Sequence, residues 1–185
     1  MSRLGWIFVA LAGLMGLVNG VLYQQNDRYR TELTRLRERE SLAWLPTVGA
    51  KRKPLRGTSA LGADVSLQFG EKEPRRLVLI FSVTCPNCEE NWPNWERLLG
   101  RLSKDGTTVM PVTVWVSGDI PPDYSRKHGL DRFPLIRANP ETIEDYRLNF
   151  VPETLLLDRD GTVLFASNGL LTEGQVDSIL RLSKS

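Results

Sequence analysis

From Leu4 to Leu22 every position except Asn19 is apolar or glycine, and polar and charged residues take over immediately afterwards. A run of this length nearly matches the roughly 20 residues that a helix needs to cross the hydrocarbon core of a bilayer. Its glycines, at 5, 13, 16 and 20, are compatible with a membrane helix. Two readings compete for this stretch. A cleaved signal peptide would use Arg3 as its charged end and Val18-Asn19-Gly20 as its cleavage site. That site lacks the alanines that signal peptidase prefers, so an uncleaved anchor over residues 1–23 is the favoured expectation. Residues 23–42 then continue as a helix with Tyr29, Leu33 and Leu36 along one side. This is a solvated stalk, because a coiled-coil seam needs about three to four heptads. Pro46, Gly49, the Lys51-Arg52-Lys53-Pro54 run and Gly57 give the chain up to residue 60 the character of a linker.

Beyond residue 61 the periodicity changes to that of an α/β domain, 61–185. Val65 to Phe69 alternates like a half-buried strand, and Leu77 to Phe81 is continuously apolar, as in a strand covered on both faces. A helical stretch follows to about Ser103, and Thr107 to Val116 is a second buried strand. Short helices are expected over 121–129 and 141–148. Thr154–Leu157 and Thr162–Ala166 are strands joined by Asp158-Arg159-Asp160-Gly161, a sequence with hairpin-turn chemistry. Thr172 is a plausible N-cap for a closing amphipathic helix to Leu182. The expected order is β-α-β-α-β-β-α.

Charge divides the chain in the same place. Residues 1–60 hold ten Lys/Arg against four Asp/Glu, whereas the remainder holds 14 against 18. The domain is therefore mildly acidic, which argues against nucleic acid as a partner, since phosphate binding needs a basic face. The basic charge lies beside the apolar run, where anionic lipid is its natural neighbour. Orientation is contradictory on this evidence. Arg3 alone precedes the run, whereas Arg28, Arg30, Arg35, Arg37 and Arg39 follow it, and that count places the domain in the cytoplasm.

The chain has two cysteines, Cys85 and Cys88, separated by Pro86 and Asn87. They are a local dithiol and not a disulfide framework. Placed between a buried strand and a helix, the first thiol meets free backbone N–H groups and the positive end of the helix dipole, which stabilise thiolate. The second lies one turn inside, within reach of a mixed disulfide. Pro86 suits the first helical turn, where its missing N–H costs nothing. Cys85 is then the nucleophile and Cys88 the resolving thiol. A zinc site usually takes four ligands, and the single His128, between Lys127 and Gly129, reads as an ordinary surface residue. Trp92 and Trp95 read as core residues in preference to a substrate rim.

Leu77 to Pro93 (LVLIFSVTCPNCEENWP) resembles the strand, redox motif and kinked helix of thioredoxin-like proteins, with Pro93 at the helix-kinking position. Val151-Pro152-Glu153-Thr154 resembles their cis-proline loop. The resemblance covers residues 61–185 and implies a thioredoxin-like fold, a central mixed β-sheet flanked by helices, behind an N-terminal transmembrane helix. It implies that Pro152 sits beside the nucleophilic sulfur and that the Val151 backbone pairs with a bound substrate strand. With the anchor, it is similar to the membrane-tethered TlpA/ResA-like group.

That group implies a thiol–disulfide oxidoreductase reducing disulfides of extracytoplasmic proteins or apocytochromes, recharged by a transmembrane electron donor. The domain would face the periplasm, against the charge count above, and the chemistry requires no cofactor and no metal. Three positions depart from the family pattern. Thr84 replaces a Trp, Leu79 replaces the buried Asp of thioredoxin, and Asn91 stands where a Glu often assists the resolving thiol. Glu89, Glu90 and Glu153 are the possible substitutes for that carboxylate. The alternatives on the same fold are a Cu(I)-binding metallochaperone, using soft thiolates, and a non-catalytic assembly factor.

Overall fold

The computed structural model describes residues 3–106 and 108–184, with side chains described from residue 13 to 33 and from 45 onward. It comprises two units, 1–43 and 44–185. The first is the helix α1, Arg3–Trp44, whose side chains from 13 to 33 are exposed. Among the described residues, no helix is long and apolar enough to cross a membrane. Positions 4–12 of the apolar run lie outside the residues whose side chains are described.

The second unit is built on seven strands: β1 (Leu55–Ser59), β2 (Asp64–Leu67), β3 (Arg75–Phe81), β4 (Val109–Trp115), β5 (Leu135–Ala138), β6 (Glu153–Leu157) and β7 (Val163–Asn168). They form one mixed sheet in the order β2-β1-β5-β4-β3-β6-β7. Pairing is parallel for β3–β4 and β4–β5 and antiparallel elsewhere. The helices are α2 (Pro86–Lys104), α3 (Pro122–His128), α4 (Pro140–Tyr146) and α5 (Glu173–Lys184), with a 3-10 turn at Leu130–Arg132.

The unbroken apolar run of β3 is explained by cover on both faces. Leu77, Leu79 and Phe81 pack with Trp92, Trp95 and Leu98 of α2 and Val176 and Ile179 of α5. Val78 and Ile80 pack on the other side with Val112, Val114, Leu155, Leu157 and Tyr146. Thr172 caps the last helix as expected, its Oγ1 accepting from the Gln175 N–H at 3.3 Å.

Two strands were not legible in the sequence. β5 is four residues long, and β1 lies inside the segment that reads as linker. That segment is bound along its length to the sheet. The Gly49 N–H donates to Val163 O at 2.8 Å and the Val163 N–H to Ala50 O at 3.0 Å. Tyr146 Oη donates to Lys53 O at 2.7 Å. Leu45 and Leu55 are buried. The compact unit thus begins near residue 44, ahead of the boundary at 61 that hydrophobic periodicity suggests. Hydrogen bonds made by backbone groups leave no mark on side-chain pattern, which is why proline, glycine and lysine disguised this strap.

Candidate functional site

The dithiol forms where β3 ends. Cys85 is the N-cap of α2, with extended backbone (φ −93°, ψ 112°), and Pro86 follows in the first turn. The turn closes through the Cys85 N–H to Ser82 O (3.2 Å) and the Cys88 N–H to Cys85 O (3.1 Å). Cys85 is partly exposed, Cys88 is fully buried, and both thiols are free. Pro93 lies inside α2.

Antiparallel pairing of β6 with β3, Ile80 opposite Glu153, carries the preceding loop to the dithiol. The Val151–Pro152 peptide bond is cis, and the Cys85 thiol donates to Val151 O at 3.5 Å. Residues more than sixty positions apart in sequence therefore meet at the sulfur. The Gly169 N–H, donating to Pro152 O at 2.8 Å, fixes the loop from the β7 side.

Burial pushes the Cys88 thiol up to about 12. Hydrogen bonding to Cys85 and the charges of Cys85 and Glu89 act in the same direction, and a backbone hydrogen bond from Ser82 opposes them. Thr84, in place of the usual Trp, joins a small hydroxyl cluster: Ser82 Oγ lies 3.1 Å from Thr84 Oγ1 and 2.8 Å from Ser117 Oγ.

Asn91 is fully buried and structural. Its Oδ1 accepts from the Leu171 N–H at 2.8 Å and from Asn94 Nδ2 at 3.2 Å, tying α2 to the segment ahead of α5. Glu153 does not replace the missing carboxylate. Thr154 and Leu156 face α2, the former accepting from Trp95 Nε1 at 2.8 Å. Strand alternation turns Glu153 to the opposite face, with Leu155 and Leu157. Burial raises its carboxyl to about 9, so it is neutral at pH 7, and its Oε1 has no partner.

Trp92 and Trp95 are core residues, as expected. His128 corrects the sequence reading: it is 5% exposed and not a surface residue. Its Nε2 lies 3.0 Å from Glu89 Oε1, and its ring stacks on Trp92 at 4.4 Å. Hydrophilic neighbours in sequence concealed it. The usable signal was helical spacing, since Tyr124 and His128 share one face of α3, as Glu89 and Trp92 do on α2. Among the described residues, no group of three or more His, Cys, Asp or Glu side chains could hold a metal ion.

No family model matches the chain. It is 27% identical over 121 residues to the thiol-disulfide oxidoreductase ResA of Halalkalibacterium halodurans, which covers 64% of this chain and 68% of that protein. Its structure is similar to the thioredoxin domain of a thiol-disulfide oxidoreductase from Bacteroides vulgatus (TM-score 0.60, 14% identity, 75% of this chain and 99% of that one). It is also similar to StoA from Bacillus subtilis (TM-score 0.53, 20% identity, 73% and 99%). A thiol:disulfide interchange protein DsbE from Chlorobium tepidum aligns comparably (TM-score 0.56, 18% identity, 74% and 97%). The fold is thioredoxin-like.

Proposed function

We infer that this chain, a thioredoxin-like thiol–disulfide oxidoreductase of the ResA, StoA and DsbE kind, works through Cys85 as attacking thiol and Cys88 as resolving thiol. One observation carries the assignment of roles. The partly exposed Cys85 stands at the start of α2 against the Val151 carbonyl of a cis-proline loop, while Cys88 is sealed beneath it.

The chemistry follows from this asymmetry. Cys85 thiolate attacks one sulfur of a client disulfide, forming a mixed disulfide and expelling the other client sulfur as thiolate. The charge and hydrogen bond of Cys85 help to hold the proton on Cys88. Both are lost once Cys85 is bonded to the client, so Cys88 ionises more readily at the stage that needs it. Cys88 then attacks Cys85, the client leaves reduced by two electrons, and a Cys85–Cys88 disulfide remains. A client strand extended beside Val151 and Pro152 would present its sulfur in line with Cys85.

The same reading assigns residues 1–23 to a membrane anchor and the domain to the extracytoplasmic side, where the clients are secreted proteins or apocytochromes. Support for the anchor comes from the apolar run at 4–22. A reductant in that compartment must be recharged by a transmembrane electron donor. A periplasmic reporter fused to the C-terminus tests the orientation, and an inactive reporter overturns it.

Redox titration of the dithiol in glutathione buffers tests the activity. A two-electron potential near or below about −270 mV supports a reductant, and one near about −120 mV makes the protein an oxidant. Cys88→Ala is expected to trap covalent client adducts. A folded variant that traps none counts against the reading.

A further inference from the structure

Helix α3 packs against the first turn of α2, and the contact is ionic as well as aromatic. Glu89, the residue after Cys88, places Oε1 3.0 Å from His128 Nε2 and Oε2 2.5 Å from Lys127 Nζ. The imidazole lies nearly flat on Trp92, at an interplanar angle of 15°, with Tyr124 at 4.6 Å. Trp92 Nε1 donates to Tyr124 Oη at 2.9 Å, and Phe81, at the end of β3, stacks on Tyr124. The only histidine of the chain is thereby buried and fixed in orientation beside the dithiol helix. The exchange chemistry above makes no use of it.

An ionised carboxylate only accepts hydrogen bonds, so Nε2 carries a proton whether the ring is neutral or cationic. Burial alone would raise the Glu89 carboxyl, but its bonds to Lys127 and His128 outweigh that and hold it below the usual range. Glu89 is therefore ionised throughout the neutral range, and its charge is one of those acting on Cys88.

We propose that His128 is a positioning residue for the dithiol: it holds Glu89, the neighbour of Cys88, against α3 in both of its protonation states, and through the charge it adds to that cluster it couples its own protonation to the redox state of the Cys85–Cys88 pair. The inference rests on the oxidoreductase reading only in requiring that this pair form a reversible couple.

With a neutral ring, Glu89 and Lys127 cancel, and with a protonated ring the cluster is positive by one charge. The other groups facing it do not change charge over the same range. Burial drives the Tyr124 phenol upward, so it stays neutral. Arg132, whose Nε donates to Gly129 O next to His128, remains cationic. Asp123 and Arg126 of α3 pair with each other. Histidine is the side chain whose charge changes between about pH 5 and 8.

A protonated His128 favours a thiolate in the reduced dithiol, whereas the disulfide carries no charge to reward it. Reduction by an external dithiol then delivers two electrons and two protons. One proton is retained on Cys88, and the other is shared between Cys85 and His128. By linkage, reduction must raise the proton affinity of His128 by the factor through which its proton favours reduction.

The test is the pH titration of the single histidine Hε1 resonance by NMR, on the full chain in detergent micelles. It is recorded for the disulfide form and for the dithiothreitol-reduced form. We expect a higher midpoint after reduction, with proton affinity raised roughly threefold or more. The same treatments should give coincident curves in a Cys85→Ser/Cys88→Ser variant. His128→Phe keeps a ring on Trp92 without the proton, and its potential–pH profile should lose the histidine-linked inflection that the unmodified chain shows. Equal histidine midpoints in a chain that forms the disulfide reversibly overturn this inference alone. Failure to form a Cys85–Cys88 disulfide, scored by thiol alkylation, overturns the oxidoreductase reading and this one with it.

Discussion

Cys88 and Glu153 are both driven toward their protonated forms by burial, but on opposite faces of the sheet and with different consequences. For Cys88 the outcome is selectivity. At pH 7 iodoacetamide should modify Cys85 at least about tenfold faster than Cys88, because thiolate is the reactive form and Cys85 is the exposed partner. Peptide mass spectrometry reads the ratio directly. For Glu153 the outcome is a stability cost. Its folded-state value of about 9 lies above that of an ordinary carboxyl, so the folded state binds this proton more tightly than the unfolded one. The contribution is fully present below about pH 4 and is lost as pH rises toward 9, at up to about 1.4 kcal/mol per unit. Urea denaturation between pH 5 and 9 should therefore show a downward slope that Glu153→Gln flattens. An unchanged slope in the variant counts against a neutral buried carboxyl. Asn91→Ala should cost about 1–3 kcal/mol by leaving the buried Leu171 N–H without its acceptor. Denaturation of the variant measures it.

At the scale of elements, the site is held by pairings distant in sequence. β6 delivers the proline loop because its register against β3 sets Glu153 opposite Ile80 and Thr154 opposite Leu79. β1 attaches to the sheet through an unusually close approach at Gly57. A Cβ there would lie 2.0 Å from Arg137 O and 2.8 Å from Ile136 Cγ2. Gly57→Ala should separate β1 from β5 and cost about 2–4 kcal/mol, within the range of overpacking and lost ladder bonds. A shift in the denaturation midpoint is the measurement, and a variant as stable as the parent shows that the edge can yield. α3 is the converse case. Its seven residues would not hold a helix alone, and Tyr124 and His128 lend it order by packing on Phe81 and Trp92.

For the whole molecule, the segment from 45 to 54 belongs to the folded unit, with an isolated bridge from Lys51 to Thr162, the residue ahead of β7, and bonds to α4 through Asp145 and Tyr146. A fragment starting at residue 45 should melt cooperatively. One starting at 61 loses Leu45, Leu55 and all of β1, each buried leucine contributing about 1.5–3 kcal/mol. Calorimetry of the two fragments is expected to give a sharp transition for the first and a much lower or absent one for the second. The sequence by itself determined the dithiol, its strand-then-helix setting and the two-sided cover of β3, because each writes a local signature in residue type or period, whereas the proline loop was legible only through the family resemblance. Only the tertiary structure decided that the apparent linker is a strand and a strap, that Glu153 turns away from the sulfurs, and that His128 is buried against Glu89. Those outcomes depend on backbone hydrogen bonds, on strand register and on which faces meet. None of the three is encoded in the identity of a residue and its immediate neighbours.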